Sequence, residues 1–330
     1  MKQLLLALAL LSGLTRPVRA QVYSATDPLA HTYSIVARDP QTGDLAVAVQ
    51  SHWFSVGTSV SWAEAGVGAI ATQSFTNKSF GPRGLALLRS GQSAQQTLAE
   101  LLRTDEGRDV RQVAVVDRNG QVAVHTGIKC IDFAGHRTGP QFSVQANMML
   151  TDQVPAAMAQ AYEAAAALPL PERVLAALEA AQAAGGDIRG RQSAALLVVR
   201  AQATAEPWTD RLVDLRVEDA AEPLQELGRL LRLHRAYEHM NAGDLAVERN
   251  DVPGAIQEYE AAEKLFPRNL EMQYWHAISL ANKQRLLEAL KLLRPVFRQE
   301  PNWRTLTGRL PKVGLLTVSA AELHQILTLR

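Results

Sequence analysis

The sequence predicts an α+β protein: a four-layer αββα sandwich followed by an all-α helical domain. Three observations lead there. Short β-rich runs, paired through turn residues, recur between residues 32 and 217. Helical segments divide them into the order strands, helices, strands, helices, strands; two antiparallel sheets stacked between helical layers would cover both faces of each sheet. From about Glu222 onward the pattern is helical throughout and repeats with a fixed period.

Residues 32–38 and 44–50 read as strands joined by Pro40-Gln41-Thr42-Gly43, a turn signal. Trp53 to Glu64 reads as irregular, and residues 67–73 as a third, buried strand. A short apolar helix is expected from Gly84 to Arg89. A firmer one runs from Ser93 to Arg103, where Ser93-Ala-Gln-Gln96 is a capping-box pattern and Leu98, Leu101 and Leu102 share a face. Gln112–Val116 and Gln121–His125 flank Asp117-Arg118-Asn119-Gly120, whose Asn-Gly pair supplies the positive φ angles of a tight hairpin. Phe142 to Met148 is another strand. Helices follow over Val154–Ala167 and Pro171–Ala184, the second opened by proline and ended by Gly185-Gly186. Ser193–Ala201 and Leu212–Val217 are the last strands.

The helical part carries an internal repeat. Gly243, Ala255, Tyr259, Ala262 and Pro267 recur thirty-four residues later as Ala277, Ala289, Leu293, Val296 and Pro301. Small residues let paired helices approach, larger ones fill the groove, and proline marks the end of the second helix. This resembles the tetratricopeptide repeat, with units at about 236–269 and 270–303, and implies a surface for a protein or peptide partner. Leu224 to Arg235 is expected to pack on the first unit and the segment after Pro311 to cap the second.

Composition sets limits. The chain has 330 residues, 47% hydrophobic and 20% charged, with a formal net charge of +1, as in an ordinary globular protein. No basic stripe with interleaved aromatics suggests nucleic acid as a partner. Lys2, the apolar run Leu4 to Leu14 and the small residues of Val18-Arg19-Ala20 read as a signal peptide cut after Ala20. The run is too short to span a bilayer comfortably. The expectation is export to the periplasm or beyond without stable membrane insertion, in three parts: leader 1–20, sandwich 21–220 and helical domain 221–330. Cys130 is the single cysteine, so stability must come from packed cores rather than intrachain disulfides. A homo-oligomer is compatible with this composition.

Several stretches bear chemistry. Ser34 lies on the first strand of the first hairpin. Its hydroxyl would be a nucleophile if its own α-amine, with pKa about 8, were free to act as base. Arg38 lies four residues on, on the same strand face, suited to holding a carboxylate. His125 suits proton transfer or hydrogen bonding. His125, Cys130, Asp132 and His136 lack a CxxC or HxH pair, so no metal, and likewise no cofactor, is expected. Gly185-Gly-Asp-Ile-Arg-Gly-Arg-Gln-Ser193 combines glycines with Asp187, Arg189 and Gln192 as a binding loop. Gln73 and Asn147, near strand ends, would donate to an oxyanion.

Thr32-Tyr-Ser-Ile-Val-Ala-Arg-Asp39, Ala48-Val-Gln-Ser51, Gly66-Val-Gly-Ala-Ile-Ala-Thr-Gln73, Gly81-Pro-Arg-Gly84, His125-Thr-Gly127 and Gly190-Arg-Gln-Ser193, in this order, resemble the DUF1028 family. That family is assigned to the N-terminal nucleophile hydrolase superfamily, so the resemblance implies an amidohydrolase-like αββα scaffold for small amides or peptides, with Ser34 at the nucleophile position. The lysine that the proteasome-like branch uses is missing: none lies between Lys2 and Lys78. A non-catalytic binding or adaptor protein on the same scaffold is the alternative.

Overall fold

The computed structural model describes residues 29–329, and the expected leader lies outside them. The described residues divide into two compact units, the first ending at Leu227 and the second beginning at Gly228. In chain order the first unit contains β1 (Leu29–Ala30), β2 (Thr32–Arg38), β3 (Leu45–Ser51), α1 (Gly57–Val60), β4 (Ser61–Glu64), β5 (Gly68–Phe75), α2 (Phe80–Arg89) and α3 (Ala94–Arg103). There follow β6 (Arg111–Asp117), β7 (Val122–Thr126), β8 (Gly135–Gly139), β9 (Phe142–Ala146), α4 (Val154–Ala164), α5 (Leu170–Ala183), β10 (Ser193–Val199) and β11 (Arg211–Val217).

These strands form two antiparallel sheets. One has the order β1-β5-β6-β7, with β4 also paired to β5. The other has the order β11-β10-β3-β2-β9-β8. Period-two alternation decides which side chains meet. Val36, Val47 and Val49 of the six-stranded sheet share one core with Ala69, Ala71, Ala114 and Val116 of the other. The opposite face of β5 and β6 presents Ile70, Val113 and Val115 to Leu85, Leu98 and Leu101 of α2 and α3. α4 and α5 pack on the six-stranded sheet, and the Tyr33 hydroxyl donates to Gln182 Oε1 of α5 at 3.1 Å.

The structure differs from the sequence expectation in places. Trp53–Glu64 is not irregular: it holds α1 and β4, the latter returning to β5 through a turn with Gly66 at φ 70°. Four residues are too few to display alternation. The helix expected from Gly84 starts at Phe80, and Gly81 sits where an added Cβ would come within 2.1 Å of the Trp62 ring. Pro82 is tolerated because a first helical turn needs no amide donor. β8, edge-exposed and glycine-bounded, has no apolar pattern to announce it.

The second unit is helical. It continues α6 (Pro223–Glu248) and adds α7 (Val252–Leu265), α8 (Leu270–Asn282), α9 (Leu286–Gln299), α10 (Asn302–Thr307) and α11 (Ala320–Leu327). Asp251 and Asn269 cap α7 and α8 by accepting from backbone amides. Ala236, Met240, Ala255, Tyr259, Ala262 and Met272 form one cluster. Tyr274, Ala277, Ala289, Leu293 and Val296 form another, joined by Leu316 and Ile326 from the segment after Pro311. No helix among the described residues is long and apolar enough to cross a membrane.

Gly243 tests the close approach of α6 and α7. An alanine Cβ there would lie 2.6 Å from the Tyr259 ring. Gly243→Ala should therefore lower stability by about 1–3 kcal/mol despite its better helix propensity, read as a lower urea midpoint. An unchanged or raised midpoint would show that the ring is not packed on the α6 backbone.

Candidate functional site

Between the sheets, at the end where β2 begins, the apolar core gives way to buried polar side chains. Ser34, Gln73, Gln112, Gln145 and Asn147 are all completely buried. In such surroundings each polar atom needs a partner. The Ser34 hydroxyl donates to Gln73 Oε1 at 2.6 Å and accepts from Gln145 Nε2 at 2.6 Å. Gln145 Oε1 accepts from Ser143. Gln73 Nε2 donates to Gln112 Oε1 at 2.7 Å and to the Thr32 carbonyl at 3.1 Å. Asn147 Nδ2 donates to the same Gln112 oxygen at 2.9 Å. Gln112 Nε2 closes the far side, donating to Thr126 Oγ1 and to the carbonyls of Gly135 and Ala146. One connected amide network thus ties β2, β5, β6 and the end of β9 across the space between the two sheets.

His31 extends it. Its Nδ1 lies 2.8 Å from Asn147 Oδ1, an oxygen that can only accept, so the proton sits on Nδ1. The ring stands edge-on to Phe75 at 5.6 Å. Burial pushes the imidazole below its ordinary pKa, opposed by the Asn147 hydrogen bond; Arg189 lowers it further and Asp187 raises it. Asp187 and Arg189, from the loop after α5, form a forked ion pair at 2.7 and 3.0 Å, and the Asp187 carboxylate is wholly buried. Arg189 Nη2 also donates to the His31 carbonyl at 2.8 Å, as does Ser51 Oγ at 2.5 Å. Ser74 and Met148, each directly following a network residue, adopt left-handed φ values of 72° and 59°. Such backbone strain is common beside functional sites.

The sequence candidates divide accordingly. Ser34, Gln73, Asn147, Asp187 and Arg189 gather at this end. Arg38 does not: it closes the other end of β2, about 13 Å from Ser34 along the strand, and bonds the Arg118 carbonyl and Gln141. His125 lies on the helix-facing side of β7, opposite Val113, with Nε2 at 2.8 Å from the Arg108 carbonyl. The alternation of β7 turns Thr126 inward instead. Gln192 bonds Asp219 on an exposed face. The sequence reading passed over His31, Thr32, Ser51, Gln112 and Gln145. The alternation signal was available for Gln145, two residues before Asn147, which directly follows β9. Burial pushes the Cys130 thiol pKa upward, which favours its protonated form. Among the described residues no group of three or more His, Cys, Asp or Glu is placed to hold a metal ion.

A family model described as a family of unknown function, DUF1028, matches residues 32–227. The chain belongs to the DUF1028 family. Protein SPO2555 from Silicibacter pomeroyi, a crystal structure carrying the same family name, is 31% identical, with a TM-score of 0.55, over 62% of this chain and 88% of that one. No curated protein matches. The DUF1028 match takes in every network residue except His31, which immediately precedes it.

Two measurements probe the network. Gln112→Leu leaves the Gln73 and Asn147 amides facing an apolar group, and should lower stability by roughly 2–4 kcal/mol, seen as a lower denaturant midpoint at constant m. A loss below about 0.5 kcal/mol would mean that these bonds are not made. For His31, the unfolded chain binds more protons than the folded one below about pH 6.5, down to the lowered folded pKa. Stability should therefore fall as pH drops from 7 to 5, and fall less in His31→Gln. Parallel pH profiles would contradict the burial of a neutral imidazole.

Proposed function

We propose that the DUF1028 region is an N-terminal-nucleophile-type αββα domain acting as an amidohydrolase on small amides or peptides. The observation that carries the reading is a hydroxyl-bearing strand, β2, turned toward a cluster of buried amide donors at one end of the sandwich. Ser34 is the nucleophile that the family resemblance implies, and Gln73 and Asn147 would help to hold an oxyanion. In the intact chain the Ser34 nitrogen is in a peptide bond and its hydroxyl is engaged on both sides. The intact chain is therefore a precursor in this reading, and hydrolysis needs a cut that frees an amine on β2. Export through the leader would place this maturation outside the cytoplasm.

The helical unit is proposed as a tetratricopeptide-like module that holds a protein or peptide partner. Its support is the thirty-four-residue period and a groove of about 510 Å³ lined by Arg229, Leu233, Leu265, Phe266 and Pro267.

The enzyme reading is tested with the purified mature chain and a panel of acyl p-nitroanilides. Release should rise with pH through the amine pKa, about 8, and should fall at least ~100-fold after acetylation of the terminal amine. A chain with a free β2 amine that releases no product from any member would favour the non-catalytic adaptor, and activity that ignores acetylation would rule out the terminal amine as the base.

A further inference from the structure

The carbonyl directly before Thr32 has unusual partners. It belongs to His31, which is 2% exposed and lies between β1 and β2. A hydroxyl and a guanidinium donate to its oxygen together: Ser51 Oγ at 2.5 Å and Arg189 Nη2 at 2.8 Å. The guanidinium is fixed by the buried Asp187, whose carboxylate also accepts the amides of Arg189 and His52. A buried carbonyl can be satisfied by one neutral donor. A charged donor plus a hydroxyl, both held in place beforehand, is the arrangement that stabilises negative charge developing on that oxygen. The next residue carries a hydroxyl. Thr32 opens β2, is fully buried, and donates from Oγ1 to the Ala30 carbonyl at 2.7 Å, on the N-terminal side of the bond between them.

We propose that the His31–Thr32 peptide bond is a self-cleavage site, with Thr32 as nucleophile and Ser51 and Arg189 as the donors that hold the oxyanion. The proposal rests on the amidohydrolase reading above and moves its nucleophile from Ser34 to Thr32. Thr32 Oγ1 attacks the His31 carbonyl carbon and a C–O bond forms. The carbonyl oxygen becomes negative between Ser51 and Arg189. Collapse breaks the C–N bond, and the hydroxyl proton ends on the departing nitrogen, which becomes the Thr32 amine. Water then hydrolyses the resulting ester, leaving a carboxylate on His31 and restoring the Thr32 hydroxyl.

The fold favours this bond over Tyr33–Ser34. A cut before Thr32 leaves β2 whole. A cut after Tyr33 falls inside a ladder in which Tyr33 is paired to both Gln50 and Ala146. The family match also begins at Thr32. Among its described residues, the released segment pairs with the sheet through the two residues of β1, opposite Ser74 and Phe75, and His31 adds its bonds to Asn147, Ser51 and Arg189. Its departure would leave a place lined by Phe75, Asn147, Ser51 and Arg189 where Ala30 and His31 had been. The substrates indicated are amides whose acyl half is peptide-like and ends in a flat polar side chain.

The test is intact mass and N-terminal sequencing of the purified full chain, followed over days, alongside Thr32→Val, Thr32→Ser and Arg189→Met. The expected result is a chain beginning at Thr32, cut in Thr32→Ser, and uncut in a Thr32→Val protein whose melting shows it folded. Arg189→Met should slow the cut about 100-fold. A chain beginning at Ser34 would overturn this proposal and leave the hydrolase reading standing. A folded chain that stays joined upstream of β2 would overturn both. Cleavage of Thr32→Val at the wild-type rate would assign the cut to another protease and likewise overturn the proposal.

Discussion

The interior of the first unit is constrained above all by the hydrogen bonding of five buried polar side chains. Ser34, Gln73, Gln112, Gln145 and Asn147 are sealed from water, and an unpaired amide there would cost roughly 1–3 kcal/mol. Each therefore dictates its neighbour's orientation. Gln112 Oε1 is filled by Gln73 and Asn147, which leaves Gln73 Oε1 free for Ser34 and Asn147 Oδ1 free for His31. One residue of slip reverses the face that every side chain presents, which would strand these amides without partners as well as break the valine–alanine packing between the sheets. The network thus fixes the register in which β2 meets β5, β6 and β9.

The same constraint shapes the chemistry. Because the Ser34 hydroxyl is a member of the network, it is bound on both sides and is poorly placed to react. Thr32, two residues earlier on the same face, lies at the strand's mouth, where the buried amides meet the Asp187–Arg189 pair. In the proposed function the network is the rigid support of the site and the reactive position lies at its edge.

Much of the fold was legible in the sequence. The Asn119-Gly120 turn, the Ser93 capping box and the alternating runs of β2, β3 and β5 are local signals that produced those elements, although only Gly120 of the Asn-Gly pair takes a positive φ, 81°. The family motifs gave the extent of the first unit's core. β4 and β8 were missed because they are short and their pairing is dictated by neighbours distant in sequence. The candidate site was half legible. Gln73 and Asn147 stand out as polar residues near strand ends, and Asp187 and Arg189 as charges in a glycine-rich loop. Arg38 is suggested by strand-face spacing from Ser34 and His125 by residue type. Arg38 shares a face with Ser34, but strand rise carries it away; His125 is one residue out of phase with the inward face of β7. That Ser51 and Arg189 would meet on one carbonyl is a fact of tertiary packing, with no trace in the spacing of residues 51 and 189.

The account depends most directly on the network being closed to water, and side-chain amide hydrogen exchange followed by NMR measures that. The side-chain amide protons of Gln73, Gln112, Gln145 and Asn147 should be protected to nearly the limit set by global unfolding, while those of the exposed Gln202 exchange freely. Exchange of the four buried amides at the rate of Gln202 would contradict a sealed, hydrogen-bonded network and remove the support beneath the proposed site.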